Sequence, residues 1–184
     1  MDDIANNLGM SKKTIYASFP DKKALLTRMI TDYLSFHKED THCQCAIAEN
    51  AIERMLLAAS AGVIFMEKIN PVFLYDMKKY FGDVWAIFEE YRNKEIRIEI
   101  KSCLSQGQEE GLIRSDLDLD IAVSMHMQHI DMMVDPANFE SIQKSRAEVI
   151  KTMLITFLTG ISTPKGIKAM NKILENNDPF NTTT

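Results

Sequence analysis

The chain has 184 residues, of which 46% are hydrophobic and 26% charged, and its formal net charge is -5. That length suits one sizeable core or a small module on a larger one, and the mixture is that of a soluble globular protein. The acidic balance excludes indiscriminate nucleic-acid binding by the whole molecule. Charge position says more: residues 1–30 carry a balance of +2 and the remaining 154 carry -7.

Nearly every segment has helical periodicity and none sustains strand alternation. Ile4, Ala5 and Leu8 form a short apolar face closed by Gly9. Ser11 can cap a second helix with Ile15 and Phe19 on its apolar side, stopped by Pro20. Asp21 caps a third, apolar at Ala24, Leu25, Met29 and Ile30 and continuing to Leu34. The polar stretch HKEDTHCQC, residues 37–45, reads as a loop. A helix from about Ala46 to Met66 turns Ile52, Leu56, Ala59 and Val63 inward. Asn70-Pro71 marks a break, and a short helix follows to Tyr80. Gly82 precedes a long helix ended by Gly111.

Residues 118–134 form another helix, with Ile121, Met125, His129 and Met132 on one stripe. Asp135-Pro136 interrupts it and can start the last long helix, which uses Phe139, Ile142, Val149, Ile150, Met153, Phe157 and Ile161. The segment after Pro164 is weakly helical to Leu174, and residues 175–184 are expected to be disordered. The expected fold is all-α, with a small head over residues 1–40 and a helical body over 46–174.

The head has the spacing of a helix-turn-helix. Ala5 is small enough for two helices to approach, Gly9 relieves the turn, and Ser11 satisfies free amides. Lys12, Lys13 and Thr14 then lie at the leading end of a helix narrow enough for a major groove. Lys22 stands beside unsatisfied helix amides that also favour an anion.

The run DDIANNLGMSKKTIYASFPDKKALL resembles the amino-terminal domain of the tetracycline-repressor (TetR/AcrR) family of bacterial transcriptional regulators. Ile4-Ala5, Gly9, Ser11, Tyr16, Phe19, Lys22 and Leu25 meet its pattern at fixed spacings. The resemblance implies a two-domain, all-helical homodimer whose head binds operator DNA and whose body holds a small-molecule pocket. Ser11–Ser18 would be the recognition helix, Tyr16 a backbone-contacting phenol and Lys22 a phosphate contact. The family pattern has one further helix before the position of Met1. Either the true start lies upstream of Met1, or the head is weakened, with Ile4, Leu8, Ile15 and Phe19 left only the third helix to bury against.

In the body, wide side chains crowd around breaks at Pro71 and Gly82, and methionines add adaptable walls. Phe65, Met66, Met77, Tyr80, Phe81, Trp85, Phe88, Tyr91, Met125 and His129 are the candidate ligand-binding residues, and His126 is a further polar candidate. The last two long helices carry apolar residues off their main stripes, which calls for more than one neighbour. Val123, Met127, Ile130, Met153, Leu154, Phe157 and Leu158 are therefore candidates for a homodimer interface, with a larger intramolecular core as the other reading.

Three cysteines, Cys43, Cys45 and Cys103, make no disulfide framework and suit a reducing, cytoplasmic compartment. No window approaches 18 uninterrupted apolar residues, and no secretory leader is visible, so no membrane association is expected. The HCQC run is tighter than usual zinc-ligand spacing and no second pair follows, so no metal is expected. No phosphate loop, HExxH or nucleophile elbow occurs, so neither catalysis nor a cofactor is expected. The reading that follows is a ligand-responsive regulator, a repressor released from a palindromic operator by a small effector. Its rival is a non-catalytic dimeric small-molecule-binding protein of the same fold with a weakened head.

Overall fold

The computed structural model describes residues 1–134 and 142–181. Over these residues the expected all-α class holds. The order is α1 (Asp2–Asn7), α2 (Lys12–Ser18), α3 (Lys22–Cys45), α4 (Ala51–Glu67), α5 (Pro71–Tyr80), α6 (Gly82–Tyr91), a π-helical turn (Arg92–Ile96), α7 (Arg97–Glu109), α8 (Leu119–Val134), α9 (Arg146–Ile161), α10 (Pro164–Asn176) and a closing 3₁₀ turn (Pro179–Asn181). Among the described residues the one extended pairing is an isolated antiparallel bridge between Ile113 and Ser162.

Local chemistry sets the first boundaries. Gly9 has φ +62°, a left-handed turn that side-chain-bearing residues resist. The Ser11 hydroxyl accepts from the Thr14 amide at 3.1 Å, and the Asp21 carboxylate accepts from the Ala24 amide at 2.7 Å.

The third helix differs from expectation. It does not end near Leu34 but runs through the polar stretch to Cys45, 24 residues in all, about 36 Å at 1.5 Å per residue. Lys, Glu and Gln are good helix formers, and Gln44 donates to Asp40 one turn back at 2.8 Å. Leu34 and His37 keep the buried stripe going. The next helix accordingly starts at Ala51, capped by Asn50, rather than near Ala46.

The long helix expected after Gly82 runs without a gap to Glu109, with a π-helical turn between its α6 and α7 stretches. On α8 the inward stripe is Ala122, Val123 and Met127, while Ile121 and Met125 are exposed at 61% and 54%. The expected stripe was out of phase because α8 is apolar on both sides. The last long helix starts at Arg146, four residues after Ile142, with a Ser145–Glu148 capping box. Phe139 and Asp135-Pro136 lie outside the described residues.

The carboxyl-terminal region is also more ordered than expected. Pro164 starts α10 and Met170 is buried. A Cβ on Gly166 would lie 2.1 Å from the Leu112 carbonyl oxygen, so only glycine permits that crossing. The Phe180 ring is buried, and the Ser60 hydroxyl donates to the Pro179 carbonyl at 2.7 Å. Residues 178–181 therefore close the core; Thr182, Thr183 and Thr184 lie outside the described residues.

Two apolar clusters result. One joins Leu26, Ile30 and Leu34 of α3 to Phe65, Leu74, Met77, Val84, Trp85 and Phe88. The other, larger one unites α4, α7, α8, α9 and α10 around Leu56, Leu104, Ile113, Leu154 and Leu158. Each fully buried side chain of this kind contributes about 1.5–3 kcal/mol. Among the described residues no single helix is long and apolar enough to cross a membrane.

Candidate functional site

The amino-terminal surface is built by α1, α2 and the start of α3. Within α1 and α2 only Ala5 and Ile15 are buried, at the helix crossing. Ile4 and Phe19 are half-buried, and Leu8 is 60% exposed instead of joining the apolar lock. Ser11, Lys12, Lys13, Thr14, Tyr16 and Lys22 are all exposed, so the structure brings the candidate DNA contacts to one capped, solvent-facing segment. Lys12 is ion-paired with Asp2. Lys13 makes no ion pair among the described residues. The Lys22 ammonium lies 5.2 Å from the Phe81 ring centroid, a cation–π contact to the α5–α6 joint. Lys23 beside it is ion-paired with Asp83 of α6.

The body contains a cavity of about 510 Å³ between the two apolar clusters. Of the ten candidate ligand residues, Phe65, Met66, Phe88, Tyr91 and His129 line it. The other five do not. Met77 and Trp85 are buried in the cluster around α5 and α6, and Phe81 is half-buried, partly packed against that cluster at the helix joint. Tyr80 and Met125 face outward, Tyr80 with 63% of its surface exposed. Crowding of wide rings in the sequence marked a core, and only part of that core borders the open space.

The candidate interface residues are redistributed too. Val123, Met127, Leu154, Phe157 and Leu158 are buried within the single chain, because α4, α7 and α10 cover them. Ile130 and Met153 line the cavity, as does Leu154 at its edge. The intramolecular core thus accounts for five of the seven, and Ile130 and Met153 are half-buried at the cavity wall. The outward faces of the two helices are made instead by Ile121, Ser124, Met125 and Gln128 on α8 and by Thr152, Thr156, Thr159 and Gly160 on α9.

Several cavity residues had no sequence signal. The carboxyl-terminal half of α3 supplies His37, Thr41, His42 and Cys45, which only the uninterrupted helix could bring there. The π-helical turn supplies Arg92, Glu95 and Ile96; such turns often mark functional positions in a helix. All four histidines of the chain border the cavity.

The Phe65 ring is held between two rings of α3, stacked on Tyr33 at 4.5 Å and on His37 at 4.1 Å. The Tyr33 hydroxyl donates to the Phe65 carbonyl at 3.1 Å. Burial pushes His37 and His126 down to about 4, and moves His129 downward, since a charged ring would lose its hydration. His126 stacks on Phe157 at 4.9 Å and meets the His129 ring edge-on at 5.9 Å.

Neither Cys45 nor Cys103 is poised for chemistry. Burial pushes Cys103 up to about 12 and also raises Cys45, which keeps both protonated. The HCQC run is the last turn of α3, not a loop. Among the described residues no group of three or more His, Cys, Asp or Glu side chains is arranged to hold a metal.

A capped, exposed second helix on a three-helix head, set on a larger helical bundle with an internal cavity, is the TetR-like architecture. Residues 1–29 match the bacterial regulatory proteins of the tetR family. Over 169 residues the chain is 26% identical to the uncharacterized HTH-type transcriptional regulator YvaF of Bacillus subtilis, covering 88% of this chain and 85% of that protein. It is 28% identical over 122 residues to the HTH-type transcriptional repressor KstR2 of Mycolicibacterium smegmatis, covering 65% and 60% respectively. The solved structure of the ketosteroid transcriptional regulator KstR2 of Mycobacterium tuberculosis shares the fold with a TM-score of 0.68, at 21% identity, over 88% of this chain and 83% of that one.

Proposed function

We propose that the protein is a ligand-responsive, DNA-binding transcriptional regulator, a dimeric repressor released from a palindromic operator by a small effector. The observation that carries this reading is the single helix α3. Its amino terminus adjoins the exposed α2, and its far end walls the cavity.

Two contacts make the helix a transmission element. Phe65 borders the cavity and stacks on Tyr33 and His37. A guest that displaces this ring therefore displaces the middle of α3. At the other end, Lys22 on Phe81 and Lys23 on Asp83 brace the start of α3 against the α5–α6 joint. A small tilt of α3 changes the separation of two heads in a dimer. A ligand acts this way only if it binds the two separations with different affinity. The outward faces of α8 and α9 support pairing of two copies, Ile121 and Met125 offering apolar area and Gly160 with three threonines permitting close approach.

Base reading falls to Thr14, with Lys12, Lys13, Tyr16 and Lys22 toward the phosphate backbone. One observation favours the rival, a dimeric small-molecule-binding protein without a grip on DNA: only Ala5 and Ile15 are buried in α1 and α2. Gel retardation of the DNA flanking the protein's own coding sequence separates the two. The regulator forms a discrete complex whose affinity falls steeply with salt; no complex at low salt identifies the rival.

A further inference from the structure

Three cations border or close the cavity, and each has an acid beside it. Lys38 is bonded to Glu95 at 2.6 Å, Arg54 is paired with Glu99, and Arg92 with Asp131. The buried imidazoles of His37 and His126 are neutral at pH 7. The wall is thus charge-balanced, and an ionised guest would lose its hydration without gaining a free counter-charge.

Hydrogen-bonding capacity, by contrast, is left over at one end. His126 Nδ1, His129 Nδ1 and Arg92 Nε are buried and have no hydrogen-bond partner among the described residues. His37 differs, since its Nδ1 already meets the Thr41 hydroxyl at 3.2 Å. A buried polar atom without a partner is costly and uncommon in a folded chain. Three from neighbouring elements, two on α8 and one on the π-helical turn, belong to residues that line one cavity. The rest of the wall combines apolar side chains such as Met55, Phe88, Ile100 and Ile150 with polar groups bonded to one another, Lys38 to Glu95 and Arg54 to Glu99 and Gln106.

We infer that the effector is an uncharged, largely apolar molecule carrying a hydroxyl or carbonyl oxygen, anchored by His126, His129 and Arg92. A neutral imidazole offers one donor or one acceptor at each nitrogen, depending on its tautomer, and the guanidinium Nε–H donates. A hydroxyl can use both kinds of partner, and a carbonyl accepts from the donors. The apolar remainder of the guest lies against the walls between the two clusters. This inference rests on the ligand-responsive reading above.

Three probes with one chain length test it: 1-decanol, decanoate and decyltrimethylammonium, titrated calorimetrically into the full-length protein below micellar concentration. The expected result is 1-decanol binding at least about tenfold tighter than either charged probe. His126→Phe and His129→Phe, which keep the ring, should each weaken 1-decanol about fivefold, the worth of one neutral hydrogen bond. Because both substitutions fall on the cavity wall, ¹⁵N-histidine NMR of the unaltered protein gives a second readout independent of their folding. Saturating 1-decanol should shift the Nδ1 signals of His126 and His129 more than that of His37. Equal or tighter binding of a charged probe, or unmoved His126 and His129 signals, overturns the inference. Retardation of DNA on the same preparation separates the two failures. DNA retained with unmoved histidines sinks only this inference, and shifted histidines without DNA binding sink only the regulator reading.

Discussion

The first eighteen residues and the body are held together in different ways. In α1 and α2 the geometry depends on one positive-φ glycine, one hydroxyl cap and two buried side chains, and most of the surface stays exposed. In the body the apolar side chains of eight helices, α3 to α10, interlock in two clusters, and the space left between them is the cavity. Stability therefore resides in the body and the outward chemistry in the head. Helix α3 belongs to both, which is why local packing energy and DNA affinity should separate under mutation.

The largest expected effect breaks the body. Leu56 is fully buried, so Leu56→Ala should lower unfolding free energy by roughly 2–5 kcal/mol, read by urea unfolding. Next comes pH. His37 and His126 sit at about 4 when folded and near 6.5 when unfolded, so the unfolded chain binds more protons between those values. Their contribution is fully present above about 6.5 and falls as pH drops toward about 4. Together they should cost a few kcal/mol. His126→Phe should flatten that part of the pH profile.

Smaller effects sharpen the contrast. Asp21→Ala removes the cap at the start of α3 and should cost about 1 kcal/mol in thermal unfolding. Lys13→Ala should leave the melting temperature within error, because Lys13 is exposed. It should weaken DNA binding at all sequences and reduce the salt slope by about 1. A melting shift as large as that of Asp21→Ala would remove the distinction between the two regions.

The head was legible because its determinants are local. Gly9, Ser11, Pro20 and Asp21 act on their immediate neighbours, and the helices fall where those residues require. The body was legible in its helices but not in their phase. A helix apolar on two sides, such as α8, does not disclose which side meets the core, so Met125 was assigned inward and Val123 to an interface. The end of α3 was misread because a polar stretch carries no sign of tertiary support, whereas Leu34 and His37 anchor it. Arg92 could not have been found, since a π-helical turn leaves no pattern in composition or spacing. Of the polar wall, His129 and His126 were visible as candidates. His37 reached the cavity only once the helix continued.

The central claim is that α3 carries the state of the cavity to the head, and it can be tested without an effector. Gly62 borders the cavity and a Cβ there meets nothing within 4 Å, so Gly62→Leu places a permanent guest in the open space. Amide hydrogen exchange should then change along α3 from residues 37–45 through residues 22–30. A change confined to α4 and residues 37–45, with the start of α3 exchanging as before, would contradict the account.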